Sequence, residues 1–357
     1  MIKILADKNI LDLDLYLRDV IVPNEYSIHY IDDEFITNES LADYEILLIR
    51  STTKINESLL VNSNIKFIGS ATAGINHIDT NYLTSNNIYW DYAPGCNSSA
   101  VTHYVLAAVA QLLEINKLNY DSKIGIIGYG NIGKKVSYYL KLLGFEVFIN
   151  DPLIDDNNLV DLNTVLRCDL ISLHIPFTER GKYKTHNLIN ENELALLNNK
   201  ILINTSRGGI VNEKALLAQD TICYIADVWE NEPTPSKQIV DKALISTPHI
   251  AGYSKEGKIN GTKMIVAALV KYFEEIKITN PFLFKDPSLR INNNFTLNKN
   301  LIEPMPLYFY NKSLDIKSLS DEMKFSFKKT NSKNISKIFA KLRQDHPLRN
   351  DFDSIDL

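Results

Sequence analysis

The sequence predicts an α/β fold of doubly wound parallel sheets, and three observations carry that expectation. Short apolar runs alternate with helical stretches from the N-terminus onward. From Lys123 the strand candidates recur at the regular spacing of βα units. Two long apolar helical patterns, Ala100–Glu114 and Lys255–Lys277, bracket that second series. The chain is therefore expected to leave a first domain, build a second and return, with the active site in the cleft between them. A length of 357 residues agrees, since about 150 residues per domain allows roughly two to three.

Taken in order, Met1–Asp7 is a short apolar alternation with one lysine, a first strand rather than a signal peptide. Asp43–Arg50 and Ile65–Gly69 are apolar runs ended by turn residues, with a polar helical stretch between them. Strand, helix and strand at that spacing imply a right-handed crossover. In Ala100–Glu114, Val101, Val105, Leu106, Val109, Leu112 and Leu113 recur with helical period. Ile124–Ile127, Glu146–Asn150, Leu170–His174, Ile201–Asn204 and Ile222–Asp227 are β-branched or leucine-rich, as strands buried on both faces are. Lys255–Lys277 carries Ile259, Met264, Ile265, Ala268, Leu269 and Phe273. Asn292–Asn300 reads as a linker, and Pro304 and Pro306 break any regular element after it.

Composition excludes several classes. Hydrophobic residues make up 45% and charged residues 23%, which are globular values. The net charge of −5 leaves no whole-protein footprint for nucleic acid. No apolar run reaches the roughly 18 residues a membrane helix needs. Cys96, Cys168 and Cys223 are odd in number and far apart, which suits a reducing compartment and argues against a zinc ribbon. A cytoplasmic protein without a metal, a membrane or a nucleic acid as partner is the expectation. The charge is uneven: Asp286–Leu357 holds 12 Lys+Arg against 9 Asp+Glu, net +3, which leaves −8 for the rest. That tail is expected to be a separate module.

Lys123–Lys134, KIGIIGYGNIGK, is a strand running into G-x-G-x-x-G and then a helix. Gly128 makes the tight turn, Gly130 admits a pyrophosphate to the backbone and Gly133 packs helix on strand. The helix N-terminus, with Asn131 and Ile132, presents N–H groups to phosphates. Asp151 ends the next strand, where a carboxylate bonds a ribose diol and favours NAD over NADP. A glycine turn with Asp151 as a cap before Pro152 is the plainer alternative.

Three later strand ends carry unusual polar residues: NTSRGG at Asn204–Gly209, DVWENEP at Asp227–Pro233 and PHIAG at Pro248–Gly252. Ligands of open parallel sheets bind at the carboxyl ends of strands. Arg207, Glu232 and His249 are thus candidates to converge on one site. Oxidising a 2-hydroxy acid removes a hydride from carbon and a proton from oxygen. Histidine accepts that proton near neutral pH, and a carboxylate on its other nitrogen fixes the tautomer. Arginine offers a planar fork to a substrate carboxylate. Each residue also has an ordinary reading, as a strand cap, a turn residue or a structural histidine.

With these motifs the sequence resembles the D-isomer-specific 2-hydroxyacid dehydrogenases over about residues 1–280. The resemblance implies two Rossmann-like domains, the NAD domain (98–252) inserted into a split substrate domain (1–97 and 253–285), with 286–357 a small C-terminal module. It implies NAD as cofactor and Arg207, Glu232 and His249 as catalytic trio, His249 being the proton donor or acceptor. Ile49–Leu60, Ser70–Asp79, Ala93–Val101, Gly181–Ile189 and Ala251–Thr262 resemble a branch acting on a phosphorylated 2-hydroxy acid. That resemblance implies substrate contacts at Ser51, Thr72 and Tyr253. It implies cofactor contacts at Asp151, Ile175 (through its backbone), Thr205, Ser206, Arg207, Asp227 and Gly252, and homodimerisation through the tail. Asp227 has an alternative as a strand-end residue. Arg50 and Lys54, beside Ser51, either meet a substrate phosphate or are solvated loop charges. Other functions stay open: a dehydrogenase for another 2-hydroxy acid such as 3-phosphoglycerate, or an NAD-sensing regulator that binds proteins.

Lys324–Arg343 holds seven basic residues and no acid, with Lys329, Lys333, Lys337 and Lys341 on one helix face and Ile335, Ile338, Phe339 and Leu342 largely on the other. An anionic partner is one reading. A solvated face on a helix packed against the domain or a second subunit is the favoured one.

Overall fold

A computed structural model of the chain describes residues 1–21, 25–275 and 314–352. The linker expected at Asn292–Asn300, the prolines at 304 and 306, and the last two residues of the helix expected over 255–277 lie outside the described residues. The chain divides into two compact units. One comprises Met1–Asn97 with the described part of Ser254–Lys299, the other Ser98–Tyr253 with the described part of Asn300–Leu357.

The first unit is a five-stranded parallel sheet in the order β2-β1-β3-β4-β5. Its strands are β1 (Ile2–Asp7), β2 (Tyr26–Ile31), β3 (Ile46–Ile49), β4 (Phe67–Ser70) and β5 (Tyr89–Tyr92). Alternate side chains serve opposite faces, as the pleat requires. Ile4, Ala6, Ile46, Leu48 and Phe67 face α1 (Leu13–Val20) and α10 (Lys255–Glu275), through Leu13, Leu17, Ile265, Leu269 and Phe273. Leu5, Leu47, Ile49 and Ile68 face the other side, with α2 (Glu57–Leu60) and α3 (Thr80–Ser85) supplying Leu60 and Leu83. Asn56 and Asp79 cap those two helices by accepting from the Leu59 and Tyr82 amides at 3.0 Å each. The sequence pattern exposes β1, β3 and β4 but not β2 and β5. Those are the edge strands, partly solvated, and so lack the continuous apolar run of a central strand.

The second unit is a six-stranded parallel sheet in the order β11-β10-β9-β8-β6-β7. Its strands are β6 (Lys123–Ile127), β7 (Glu146–Asn150), β8 (Leu170–Leu173), β9 (Ile201–Asn204), β10 (Cys223–Ala226) and β11 (Ile245–Ser246). On one face Ile124, Ile126, Leu170, Ile201, Ile203 and Ile225 pack with α4 (Ser98–Glu114) and α5 (Asn131–Leu142). On the other, Ile127, Ile171, Leu173, Leu202 and Tyr224 pack with α6 (Leu162–Leu166), α7 (Glu191–Leu196), α8 (Glu213–Leu217) and α9 (Lys237–Lys242). The direction of strand order reverses at β6, between β7 and β8, and a ligand crevice is expected there.

The tail differs from the expectation of a module standing apart. Its helices α11 (Ile316–Lys329) and α12 (Ile335–Asp345) enter the cores of the second unit: Leu314, Ile316 and Phe352 on one face, Met323, Phe327, Ile335 and Phe339 on the other. Helix α11 covers edge strand β11, and Ser320 Oγ accepts the Ser246 amide at 2.9 Å. An uncovered edge is a template for stray pairing, so this cover has a physical purpose. Within the basic stretch, Lys324 donates to the Ala243 and Leu244 carbonyls and Lys328 pairs with Asp241 at 3.1 Å. Its apolar face is buried on the protein, in line with the favoured reading. No disulfide joins Cys96, Cys168 or Cys223, and no helix among the described residues is long and apolar enough to cross a membrane.

Candidate active site

The glycine motif forms a cradle at the switch point after β6. Gly128 has φ +97°, a conformation open to glycine, and a side chain there would collide with the His174 carbonyl after β8. A side chain on Gly133 would strike the Gly128 carbonyl oxygen. Gly130, the N-cap of α5, differs from both: a Cβ would meet nothing within 4 Å. Space beside a helix N-terminus, followed by Asn131 and Ile132, fits a dinucleotide pyrophosphate. Asp151 lies at the tip of β7, where Oδ2 accepts the Tyr129 amide at 2.8 Å and Oδ1 the Leu153 amide at 3.0 Å. The carboxylate is thus both a turn former and fixed beside the glycine loop, with lone pairs left for ribose hydroxyls.

At the end of β9, Thr205 Oγ1 is buried without a partner among the described residues, as an atom awaiting a ligand would be. Ser206 Oγ donates to the Leu173 carbonyl at 2.6 Å and accepts the Ile175 amide at 3.1 Å. It ties β8 to β9, so the Ser206 hydroxyl and the Ile175 N–H are engaged within the fold. Arg207 Nη1 donates to the Ser206 carbonyl at 2.6 Å. Burial lowers the arginine's pKa, opposed by the negative charge of Glu232. Arg207 and Glu232 therefore lie within each other's field.

His249 and Glu232 meet directly, Nδ1 to Oε2 at 2.6 Å, with side chains 30% and 23% exposed. Glu232 Oε1 also accepts the Trp229 amide at 2.9 Å. Burial alone would raise Glu232, but the charge and hydrogen bond of His249, the Trp229 amide and the charge of Arg343 outweigh it and hold its pKa low. His249 sits at φ +58°, a left-handed conformation that costs a non-glycine residue about 1–3 kcal/mol.

Asp227 supplies what holds His249 there. Expected as a cofactor contact, it is 1% exposed, with both oxygens turned to the strand-end loop. Oδ1 accepts from Thr247 Oγ1 at 2.7 Å and the Ile250 amide at 2.8 Å, and Oδ2 from the Ala251 amide at 2.9 Å. Its own carbonyl accepts the His249 amide at 2.8 Å. Gly252 follows, half-buried. Tyr253 donates its amide to Ile250 at 2.9 Å and packs its ring against His346.

In the first unit, Ser51 is exposed after β3, and Thr72 is half-buried after β4. Thr72 Oγ1 is 2.8 Å from Ser70 Oγ, which is 2.9 Å from His77 Nε2. Burial lowers His77 to about 4, so it is neutral at physiological pH. Arg50 is more than a solvated loop charge. Its Nε is 2.8 Å from Oδ2 of the wholly buried Asp7, across the β1–β3 switch point. A buried carboxylate without a partner is costly, and Arg50 is that partner. Lys54 is exposed.

Three site residues are not singled out by the sequence: His77, Thr247 and Glu213. Glu213, buried at the start of α8, accepts the Glu230 amide at 3.0 Å, and burial pushes it up to about 7. His77 lies within the stretch Ser70–Asp79 without standing out in it, and Thr247 and Glu213 find Asp227 and Glu230 at separations of 20 and 17 residues.

Comparison with known proteins agrees with this geometry. Residues 108–251 match the D-isomer specific 2-hydroxyacid dehydrogenase, NAD binding domain. The chain is 41% identical over 279 residues to an erythronate-4-phosphate dehydrogenase of Hahella chejuensis, across 76% of this chain and 72% of that protein. It is 38% identical over 281 residues to that of a Marinomonas species, across 76% and 73%. Among solved structures, 3-phosphoglycerate dehydrogenase of Entamoeba histolytica with bound NAD+ has a TM-score of 0.66 at 22% identity, over 78% of this chain and 97% of that one. Aquifex aeolicus D-lactate dehydrogenase with NAD and lactic acid has a TM-score of 0.61 at 21% identity, over 79% and 98%. These two likenesses establish the fold: two parallel-sheet α/β domains of the Rossmann type. The chain belongs to the erythronate-4-phosphate dehydrogenases, within the NAD-dependent D-isomer specific 2-hydroxyacid dehydrogenase family.

Proposed function

We propose that the protein oxidises 4-phospho-D-erythronate to 2-oxo-3-hydroxy-4-phosphobutanoate with NAD, a step of pyridoxal 5′-phosphate biosynthesis. The observation that carries the chemistry is the His249–Glu232 pair at the carboxyl edge of the sheet that bears the glycine cradle.

With Nδ1 facing a carboxylate, that nitrogen keeps its proton and donates it to Glu232 Oε2. Nε2 is left as the acceptor for the proton of the substrate 2-hydroxyl. Glu232 stays ionised and offsets the positive charge that the ring gains. Arg207 presents its fork to the substrate carboxylate and stabilises negative charge on the oxygen that becomes the carbonyl. NAD, when bound, supplies the acceptor for the hydride leaving C2. Gly128, Gly130, Asn131, Ile132, Gly133, Asp151, Thr205 and Gly252 are the residues that would hold it. Ser51, Thr72 and Tyr253 are assigned to the substrate by family resemblance. Homodimerisation and a cytoplasmic location belong to the same reading.

NADH formation by the purified protein on 4-phospho-D-erythronate, 3-phosphoglycerate and D-lactate tests it. Turnover of the first is expected. Good turnover of the second with none of the first would reassign the substrate.

A further inference from the structure

The carbonyls on the far side of the catalytic loop are held by the C-terminal tail. Arg349 donates from Nη1 to the Ile250 carbonyl at 3.0 Å, and from Nη2 to the Ala251 carbonyl at 2.5 Å and the Ala100 carbonyl at 3.1 Å. The amides of Ile250 and Ala251 are the ones bound by Asp227. Both residues that follow His249 are thus gripped at each end, amide by a carboxylate and carbonyl by a guanidinium. Ala100 belongs to the first turn of α4, so the same side chain ties the loop to a buried helix. Burial pulls Arg349 down only to about 10, and it remains a cation at neutral pH.

Neighbouring tail residues converge on the same place. Phe352, 1% exposed, packs edge-on against the rings of His103 and Tyr139 and anchors the segment. His346 lies 6.2 Å, ring to ring, from Tyr253. The charge of Arg343 acts on Glu232.

We propose that Arg349 is a positioning residue for His249, so that segment 343–352 completes the catalytic face of the second unit. The argument rests on the dehydrogenase reading above. His249 occupies a left-handed conformation with a free-energy cost, and two opposed charged clamps keep it from relaxing. Only a planar fork reaches two successive carbonyls and a helix terminus together, which is why arginine suits the position.

Arg349→Met and Arg349→Lys are compared with Phe327→Leu, which removes volume from the opposite core of the same unit without touching the loop or segment 343–352. Loss of positioning in Arg349→Met is expected to lower kcat about 10²-fold. KM and NADH affinity should stay near wild type. Arg349→Lys should recover part of the loss, since an ammonium bonds carbonyls without the fork. It also carries the test if Arg349→Met does not fold. Phe327→Leu should lower Tm while kcat of the folded protein is unchanged. Amide hydrogen exchange over residues 249–253 should quicken in Arg349→Met and not in Phe327→Leu, a readout that needs no substrate. A wild-type kcat in Arg349→Met would overturn the proposal. So would a kcat loss that merely follows Tm in both variants, or unchanged exchange at the loop. If the wild-type protein turns over a different 2-hydroxy acid, the same kinetics are read on that substrate; if it turns over none, the exchange measurement decides alone.

Discussion

Replacing Gly130 with alanine separates cofactor binding from folding. Gly130 has φ −81° and ψ −154°, which alanine adopts without strain, and its Cβ would stand in open space. The folded state should therefore be unharmed, and the stiffer unfolded chain should add about 0.4–1 kcal/mol of stability. The new methyl would occupy the cradle at the N-terminus of α5. Loss of one or two charge-assisted bonds to a pyrophosphate is worth about 1.5–3 kcal/mol, or roughly 10- to 150-fold in Kd. The two flanking glycines should behave oppositely. In Gly133→Ala the methyl meets the Gly128 carbonyl, and overpacking of that kind costs about 1–3 kcal/mol. In Gly128→Ala a left-handed φ of +97° adds strain to the collision with His174. The assays are NADH fluorescence titration and thermal melting of all three variants. Wild-type NADH affinity in Gly130→Ala, or a fall in its Tm like that of Gly133→Ala, would refute the reasoning.

Other outcomes follow from the site. His249→Gln should lower kcat by about 10²–10⁴-fold, the worth of a general base, while NADH titrates nearly as in wild type; a kcat close to wild type would remove the proton-transfer role. Arg207→Lys should raise KM for the hydroxy acid by roughly 10- to 150-fold, since a point charge replaces a bidentate fork worth about 1.5–3 kcal/mol; steady-state kinetics at saturating NAD decide this. Glu213 tests linkage. Its folded pKa of about 7 lies above the ordinary 4.5, so its contribution to stability is fully present below about pH 4.5 and is lost as pH rises through 7. That shift corresponds to about 3 kcal/mol, and Glu213→Gln, which still accepts the Glu230 amide, should be the more stable protein at pH 8 by up to that order. Denaturant titrations at pH 5 and pH 8 showing the same difference between the two proteins would contradict it.

The architecture and the strand-end placement of Arg207, Glu232 and His249 are legible in the sequence because both are written locally. A strand buried on two faces needs a mainly apolar run, and the central strands β6, β8, β9 and β10 carry one. The glycine loop must follow a strand and open a helix, and KIGIIGYGNIGK states that order. Arg207, Glu232 and His249 each stand within a few residues of a strand end. What is not legible depends on partners far along the chain. Edge strands β2 and β5 have partly solvated sequences and gain their identity from the strand beside them.

Tertiary structure alone decides the remainder. It separates three glycines of one motif into two forced by close packing and one that leaves room for a ligand. It gives Asp227, read from the sequence as a cofactor contact or a strand-end residue, the Ile250 and Ala251 amides that follow His249, and makes Arg50 the counter-ion of Asp7. It folds a basic tail, distinct by charge and composition, into the cores of the second unit and brings Arg349 to the loop after His249. Composition reports what a segment is made of. Which carbonyl a guanidinium finds a hundred residues away is set only when the two cores close around it.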